Sequence, residues 1–144
     1  MNKYLLDTNI ISYLLDDRNQ SLRQKVHEIG EVCTNTIVWY ELNEGLIRAL
    51  HKNPDNRRIL KKQQLLRCVQ PTLEIIPFTE QDAELAAKLM VHFESKGSTR
   101  TLEDLMIAST AINRGLVLVS HDIRAFKDFD YPGFTWEDWT DNQT

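Results

Sequence analysis

The sequence predicts an α/β protein: a three-layer α/β/α sandwich around a mostly parallel sheet, with a helical hairpin projecting from it. Three observations carry this. Short apolar runs alternate with longer stretches of helical periodicity along the whole chain. The run 116–119 is continuous and β-branched, as strands covered on both faces are. Residues 36–70 hold two helical patterns with a break at Lys52, Asn53, Pro54 and Asp55, which makes a hairpin.

The elements follow in order. Tyr4, Leu5 and Leu6 form a short buried strand, and Asp7, Thr8 and Asn9 come directly after it. Residues 9–16 read as a short helix, 16–19 as a polar turn and 21–29 as a second helix that Gly30 stops. A strand is expected at 31–34. Asn35 or Thr36 caps a helix over about 36–51, whose apolar stripe is Val38, Leu42, Leu46, Ala49 and Leu50. Residues 55–69 read as a basic helix that Pro71 ends. A strand at 73–76 precedes Pro77. Thr79 and Asp82 have the form of a capping box for a helix over 83–95. A polar loop, 96–100, leads to an apolar and therefore buried helix at 105–113, which Gly115 stops. After the strand at 116–119 come Ser120, His121 and Asp122, a short helical turn at 123–129, an edge strand at 134–136 and a polar tail.

The 144 residues fit one domain, 1–144, and the composition is that of a soluble globular protein. No apolar run approaches the ~20 residues of a membrane span. The N-terminus lacks the features of a signal peptide, so a cytoplasmic protein is expected. Cys33 and Cys68 have no metal-type spacing and are expected to be buried free thiols in a reducing compartment. Net charge is −4, yet residues 48–67 hold Arg48, Lys52, Arg57, Arg58, Lys61, Lys62 and Arg67 against Asp55 alone. This local excess can attract phosphates although the total is negative.

In a parallel sheet the carboxyl ends of the strands form the ligand crevice. Asp7 and Asp122 follow strands directly. Glu41 and Asp104 stand in the first turns of helices that follow a strand or loop. In right-handed crossovers, strand ends and following helix starts share one edge, so all four acids can converge there. Glu41 lies about 100° from Leu42 around its helix, at the margin of the buried stripe. Glu44 lies nearer the solvent face. Glu103, one residue before Asp104, is a rival for its place.

Four carboxylates without His or Cys make a hard oxygen site suited to Mg²⁺ or Mn²⁺. The chemistry such a site serves is phosphodiester hydrolysis, in which a metal-bound water supplies the nucleophile. No Ser/His/Asp or Cys/His arrangement competes. A receiver-like Mg²⁺ site would need a phosphoacceptor Asp after a central strand and a Lys after the last one. Here Pro77 and Phe78 follow Ile76, and Lys127 comes too late.

At these residues the chain resembles the PIN-domain ribonucleases, and within them the VapC toxins of bacterial and archaeal toxin–antitoxin pairs. Tyr4 through Ile10 looks like the family's first motif. Tyr40, Glu41, Leu42, Glu44 and Gly45 look like the second. Asp104, Ile107, Ala108 and Ala111, then Gly115, Leu118 to Asp122 and Phe126, look like the third and fourth. Glu137, Asp138 and Trp139 are similar to the usual close of these toxins.

The resemblance implies a PIN-like fold and Asp7, Glu41, Asp104 and Asp122 as metal-coordinating, catalytic acids. It implies Thr8, Asn9 and Ser120 as the hydrogen-bonding residues that support them. It further implies a Mg²⁺- or Mn²⁺-dependent endoribonuclease leaving 5′-phosphate and 3′-hydroxyl ends, acting on structured RNA such as tRNA or ribosomal RNA. Such proteins are usually homodimers silenced by a cognate VapB-type antitoxin. The basic hairpin falls where the family has a clamp-like projection, which makes Arg48, Lys52, Arg57, Arg58, Lys61 and Lys62 the RNA-binding candidates. A non-cleaving RNA- or protein-binding PIN domain is the alternative, and the full acidic set argues against it. Three departures stand out: Arg100-Thr101 where Ile-Gly is usual, the added acid Glu103, and His121 in place of Asn.

Overall fold

The computed structural model describes residues 2–16 and 19–140. Its elements are β1 (Tyr4–Leu6), α1 (Thr8–Leu14), α2 (Gln20–Ile29), β2 (Val32–Asn35), α3 (Thr36–Lys52), α4 (Arg57–Val69), β3 (Glu74–Ile76), α5 (Glu80–Ser95), α6 (Leu102–Arg114), β4 (Val117–Val119), α7 (Ile123–Phe126) and β5 (Trp136–Glu137). A 3-10 turn, Gln70–Thr72, joins α4 to β3. Asp17 and Arg18 of the expected turn at 16–19, and the last four residues of the tail, lie outside the described residues.

The five strands are hydrogen-bonded in the order β3-β2-β1-β4-β5, and every pairing is parallel. The sheet is therefore parallel throughout rather than mostly so. β1 is central and the chain order reverses at it, which puts the crevice of a doubly wound sheet beside its carboxyl end. Leu5, Leu6, Ile10, Ile11, Val38, Leu89, Leu105, Ile107, Leu118 and Val119 are buried and form the centre of the core. Helix α6 packs on α5 and α3, and its run from Ile107 to Ala111 is buried without interruption. Among the described residues no helix is long and apolar enough to cross a membrane.

Capping residues set where the helices begin. Asn35 Oδ1 accepts the Val38 N–H at 2.9 Å and starts α3. Thr79 and Asp82 form the expected capping box of α5. Gly30 and Gly115 adopt left-handed backbone, φ 68° and 64°, and end α2 and α6 as the sequence predicts.

The differences from expectation have the same local origin. α1 starts at Thr8 because Asp7 is itself the cap. α4 starts at Arg57 because the Asn56 side chain accepts from Ile59 N–H. α6 starts three residues early because Thr101 caps it. Leu66 is the fully buried residue of α4, and Leu60 is exposed, so the basic helix stands off the core. The tail is less polar in effect than in composition: Trp139 is buried, its ring 5.1 Å from that of Tyr4. Cys33 and Cys68 are free, but only Cys33 is buried, and burial pushes its thiol up to about 12; Cys68 is exposed, because it lies on α4 away from the Leu66 face.

Candidate active site

Register in the sheet brings the first acid to the fourth. Leu6 pairs with Val119, so Asp7 and Ser120 leave the sheet side by side. Asp7 N–H donates to the Val119 carbonyl at 2.9 Å. Ser120 Oγ donates to Asp7 Oδ2 at 2.6 Å and accepts the Asp122 N–H at 3.0 Å. One hydroxyl thus ties a carboxylate near the start of the chain to the backbone of another 115 residues later.

Asp7 Oδ1 accepts the Thr8 N–H at 2.7 Å. Thr8 Oγ1 donates to Glu41 Oε1 at 2.6 Å, which ties α3 to the start of α1. Asn9 Oδ1 accepts the His121 N–H at 3.0 Å, and its Nδ2 lies 3.4 Å from Ser120 Oγ. Asp104 is in the first turn of α6, and its N–H donates to Thr101 Oγ1 at 3.2 Å. Asp122 caps α7, accepting the Ala125 N–H at 3.1 Å. Asp104 and Asp122 line one cavity of about 380 Å³. Glu41, Thr8 and Lys62 line an adjoining side of the molecule, around a cavity of about 230 Å³.

Burial raises three of these carboxylates, and like charges nearby add to it. Burial pushes Asp7 up to about 6; hydrogen bonds from Ser120 and Thr8 oppose this, and the charges of Glu41 and Asp122 add to it. Asp104 is also raised to about 6 by burial, against its bond to Thr101, with repulsion from Asp7, Asp122 and Glu103. Glu41 is raised by burial, against the Thr8 bond, with Asp104, Glu103 and Glu44 as like charges. Glu103 is thus within electrostatic reach of the cluster. Glu44, also a like charge on Glu41, pairs with Arg48 one helical turn away.

A divalent cation would relieve this repulsion, and the donor set is all oxygen, so the residues fit Mg²⁺ or Mn²⁺ in charge and chemistry. They ring the crevice rather than close on a point. Among the described residues, no three His, Cys, Asp or Glu side chains converge as a finished cage.

The C-terminal segment buttresses the 120–122 loop, which sequence reasoning missed. Trp136 Nε1 donates to the Ser120 carbonyl at 2.9 Å. His121 Nδ1 lies 2.9 Å from Asp138 Oδ2 and 2.6 Å from Thr140 Oγ1. Burial would raise Asp138, but its bonds with Thr140 and His121 outweigh this and hold it below the usual carboxylate range. The signal available was the presence of Trp136 and Trp139 in an otherwise polar tail. Of the basic set, Lys62 lines the cavity beside Glu41, Arg58 pairs with Asp16 at 2.9 Å, and Arg48 is taken by Glu44. Lys52, Arg57 and Lys61 are exposed on the hairpin.

Comparison with known proteins agrees with this architecture. Ribonuclease VapC2 of Rickettsia felis is 29% identical over 139 residues, covering 94% of this chain and 97% of that one. The tRNA(fMet)-specific endonuclease VapC of Salmonella typhimurium is 27% identical over 140 residues, covering 96% and 99%. The crystal structure of VapBC2 from Rickettsia felis bound to a promoter DNA fragment superposes with a TM-score of 0.78 at 27% identity, covering 94% and 98% of the two chains. DNA-bound VapBC from Salmonella typhimurium gives 0.81 at 25% identity, covering 96% and 99%. The PIN domain model matches residues 4–131, nearly the whole of the sheet and every acid of the crevice, and the chain belongs to the PIN-domain family.

Proposed function

We propose that this protein is a divalent-metal-dependent endoribonuclease, the toxin half of a VapBC-type pair. The observation that carries the reading is the placing of four acids at one sheet edge: Ser120 Oγ joins Asp7 to the Asp122 backbone, Thr8 joins the start of α1 to Glu41, and Asp104 and Asp122 line one cavity. Folding holds this charge in place at a cost, and a cation offsets it. Asp7, Asp104 and Asp122 would hold Mg²⁺ or Mn²⁺, with Glu41 completing or orienting the set. The ion's contribution is to acidify a water and neutralise charge on the phosphodiester. Ser120 holds Asp7 and the Asp122 backbone at fixed separation, Thr8 aims Glu41, and Asn9 anchors the loop at His121. The substrate is a structured RNA, and the Salmonella relative's name makes tRNA the first to try. Such a substrate places the protein in the cytoplasm.

The purified protein should cut tRNA with Mg²⁺ or Mn²⁺, lose this with EDTA, and lose it again when its antitoxin is added. The partner is a VapB-type protein, as in the complexes this chain superposes on. An Arg of that partner among the acids would neutralise the cluster in place of the ion. RNA left intact at millimolar Mn²⁺, with the fold intact by circular dichroism, would sink the enzymatic reading.

The hairpin supplies the RNA contacts through Lys52, Arg57, Lys61 and Lys62, with Arg58 reached through its pair with Asp16. A Lys52→Ala/Arg57→Ala variant should raise KM and leave kcat nearly unchanged. Each lost phosphate contact should flatten the slope of log KM against log salt by about 0.7–0.9. An unaltered salt slope would remove the hairpin from the interface.

The protein also forms a homodimer in this reading. The outer face of α3 carries Tyr40, 61% exposed, and Ile47, 60% exposed, along an open groove of about 620 Å³ that includes Trp39 and Asn43. A second copy is an economical cover for an apolar face of this size. Arg48, beside the same groove, fits this interface better than it fits RNA. Sedimentation at micromolar concentration should give a dimer, and Ile47→Asp a monomer. A monomeric wild type would refute the dimer.

A further inference from the structure

Asp104 and Asp122 sit at the starts of two helices, α6 and α7, that no strand pairing joins. Asp122 caps α7, which has only four residues. One turn of helix does not hold itself together; Ser120 fixes the Asp122 backbone at the start of α7, and the far end of the turn needs a hold of its own. Arg100 is in position to supply it. It lies in the loop directly before Thr101, the cap of α6, and four residues before Asp104. Its guanidinium donates from Nη1 to the Ala125 carbonyl and from Nη2 to the Asp128 carbonyl at 3.2 Å. The same group lies 4.3 Å from the ring centre of Phe93 and 5.1 Å from that of Phe129. Phe129 packs in turn against Phe93, Phe126 and Phe134.

We propose that Arg100 is a positioning residue that sets the separation of Asp104 and Asp122 by clamping α7 to the start of α6. This rests on the reading of those acids as the ion-holding pair. The clamp works from opposite ends. The acid is at the N-terminus of α7, and the arginine donates to the Ala125 carbonyl in its last turn, where helices leave acceptors unpaired and favour a cation, and to the Asp128 carbonyl beyond, which also accepts the Asp130 N–H. The two acids, Arg100, Thr101 and Ala125 all line the same cavity, so a shift of α7 changes that cavity directly. A planar fork reaches two carbonyls while its carbon stays over two aromatic rings; lysine can sit over a ring but has no fork to span the two carbonyls.

The test compares wild type, Arg100→Met, Arg100→Lys, and Leu22→Ala as a core variant destabilised elsewhere. Leu22 is buried in α2. The first readout is amide hydrogen exchange in metal-free protein. The amides of Phe126, Lys127 and Phe129 should exchange about tenfold faster in both Arg100 variants, beyond any global change seen in Leu22→Ala. The second is Mn²⁺ binding followed by electron paramagnetic resonance without RNA. Its Kd should rise about tenfold or more in both Arg100 variants and stay at the wild-type value in Leu22→Ala. If Arg100→Met does not fold, Arg100→Lys decides. Arg100 variants that bind Mn²⁺ as tightly as a binding-competent wild type overturn this proposal alone, whether or not exchange accelerates. A wild type that binds no Mn²⁺ sinks the metal reading of the cluster, and the proposal with it.

Discussion

Asp7→Asn is expected to abolish RNA cleavage and, in the same protein, to raise the stability of the metal-free fold at neutral pH. Asparagine keeps the volume of Asp7 and the acceptor that Thr8 N–H uses, but its NH2 faces Ser120 Oγ, which loses its acceptor, and it cannot supply the charge that holds a cation. A loss of at least about 10²–10³ in kcat/KM is expected from removing one centrally placed electrostatic group. The stability gain follows from linkage. In the fold the Asp7 carboxyl is raised from 3.8 to about 6, so the native state keeps its proton at pH values where the unfolded chain has released it. Below about pH 4 both states are protonated and nothing is lost. Stability then falls as pH rises through the window from about 4 to 6, because the native state binds more protons there. Above that window the full cost remains, on the order of 3 kcal/mol for a shift of about two pH units at a fully buried site. The difference in unfolding free energy between Asp7→Asn and wild type should therefore grow by that order between pH 4 and pH 7 in the variant's favour, starting from the offset that the lost Ser120 bond sets at pH 4. Mn²⁺ should stabilise wild type at pH 7 and leave Asp7→Asn unmoved. Chemical denaturation across this pH range checks all three statements. A difference that does not grow between pH 4 and pH 7 would mean that Asp7 is not strained in the fold.

What could be read from sequence is what short-range periodicity and capping encode. The strand at Tyr4, the capping box at Thr79 and Asp82, and the stops at Gly30 and Gly115 are local patterns, and the structure has them at those places. The parallel order also follows from strand–helix alternation, and with it the shared edge on which Asp7, Glu41, Asp104 and Asp122 stand. The bonds that make this edge a site are different in kind. Ser120 reaches Asp7 across 113 positions, and Thr8 reaches Glu41 across 33; Thr8 and Ser120 entered only through family resemblance. Arg100 registered merely as a departure from a pattern, because its partners at Ala125 and Asp128 lie 25 and 28 residues on. Trp139 looked like part of a polar tail until the sheet brought Tyr4 beneath it. Composition describes a segment's average, while burial depends on what the rest of the chain delivers to it.

Asp82 illustrates this most sharply, and Asp82→Ala is expected to be as damaging as truncating a core side chain although it removes a polar group. The sequence assigns Asp82 a local duty, the reciprocal half of a capping box, and it performs it: Oδ2 accepts the Thr79 N–H at 3.1 Å. The same carboxylate is 1% exposed and accepts from Thr110 Oγ1 at 2.9 Å and from Asn113 Nδ2 at 2.8 Å, both on α6. Thr110 Oγ1 in turn accepts from Asn35 Nδ2 at 3.0 Å, and Asn35 is the cap that starts α3. One buried carboxylate therefore links α5 and α6 to the helix that carries Glu41. Alanine leaves the fully buried Thr110 hydroxyl without its acceptor, at about 1–3 kcal/mol, and weakens the α5 cap by about 1 kcal/mol. Asn113 is exposed and can turn to water, so it adds little. The total, about 2–4 kcal/mol, should lower Tm by roughly 10 °C in a domain of this size. Thr110→Val removes the donor and the hydroxyl together, so Asp82→Ala/Thr110→Val should lose less than the sum of the single variants. Strict additivity in that cycle, or an Asp82→Ala protein melting within about 2 °C of wild type, would show that the chain from Thr79 through Asp82 and Thr110 to Asn35 does not act as a unit. If it does, part of Glu41's placement is decided in the interior behind α3 as well as at the sheet edge.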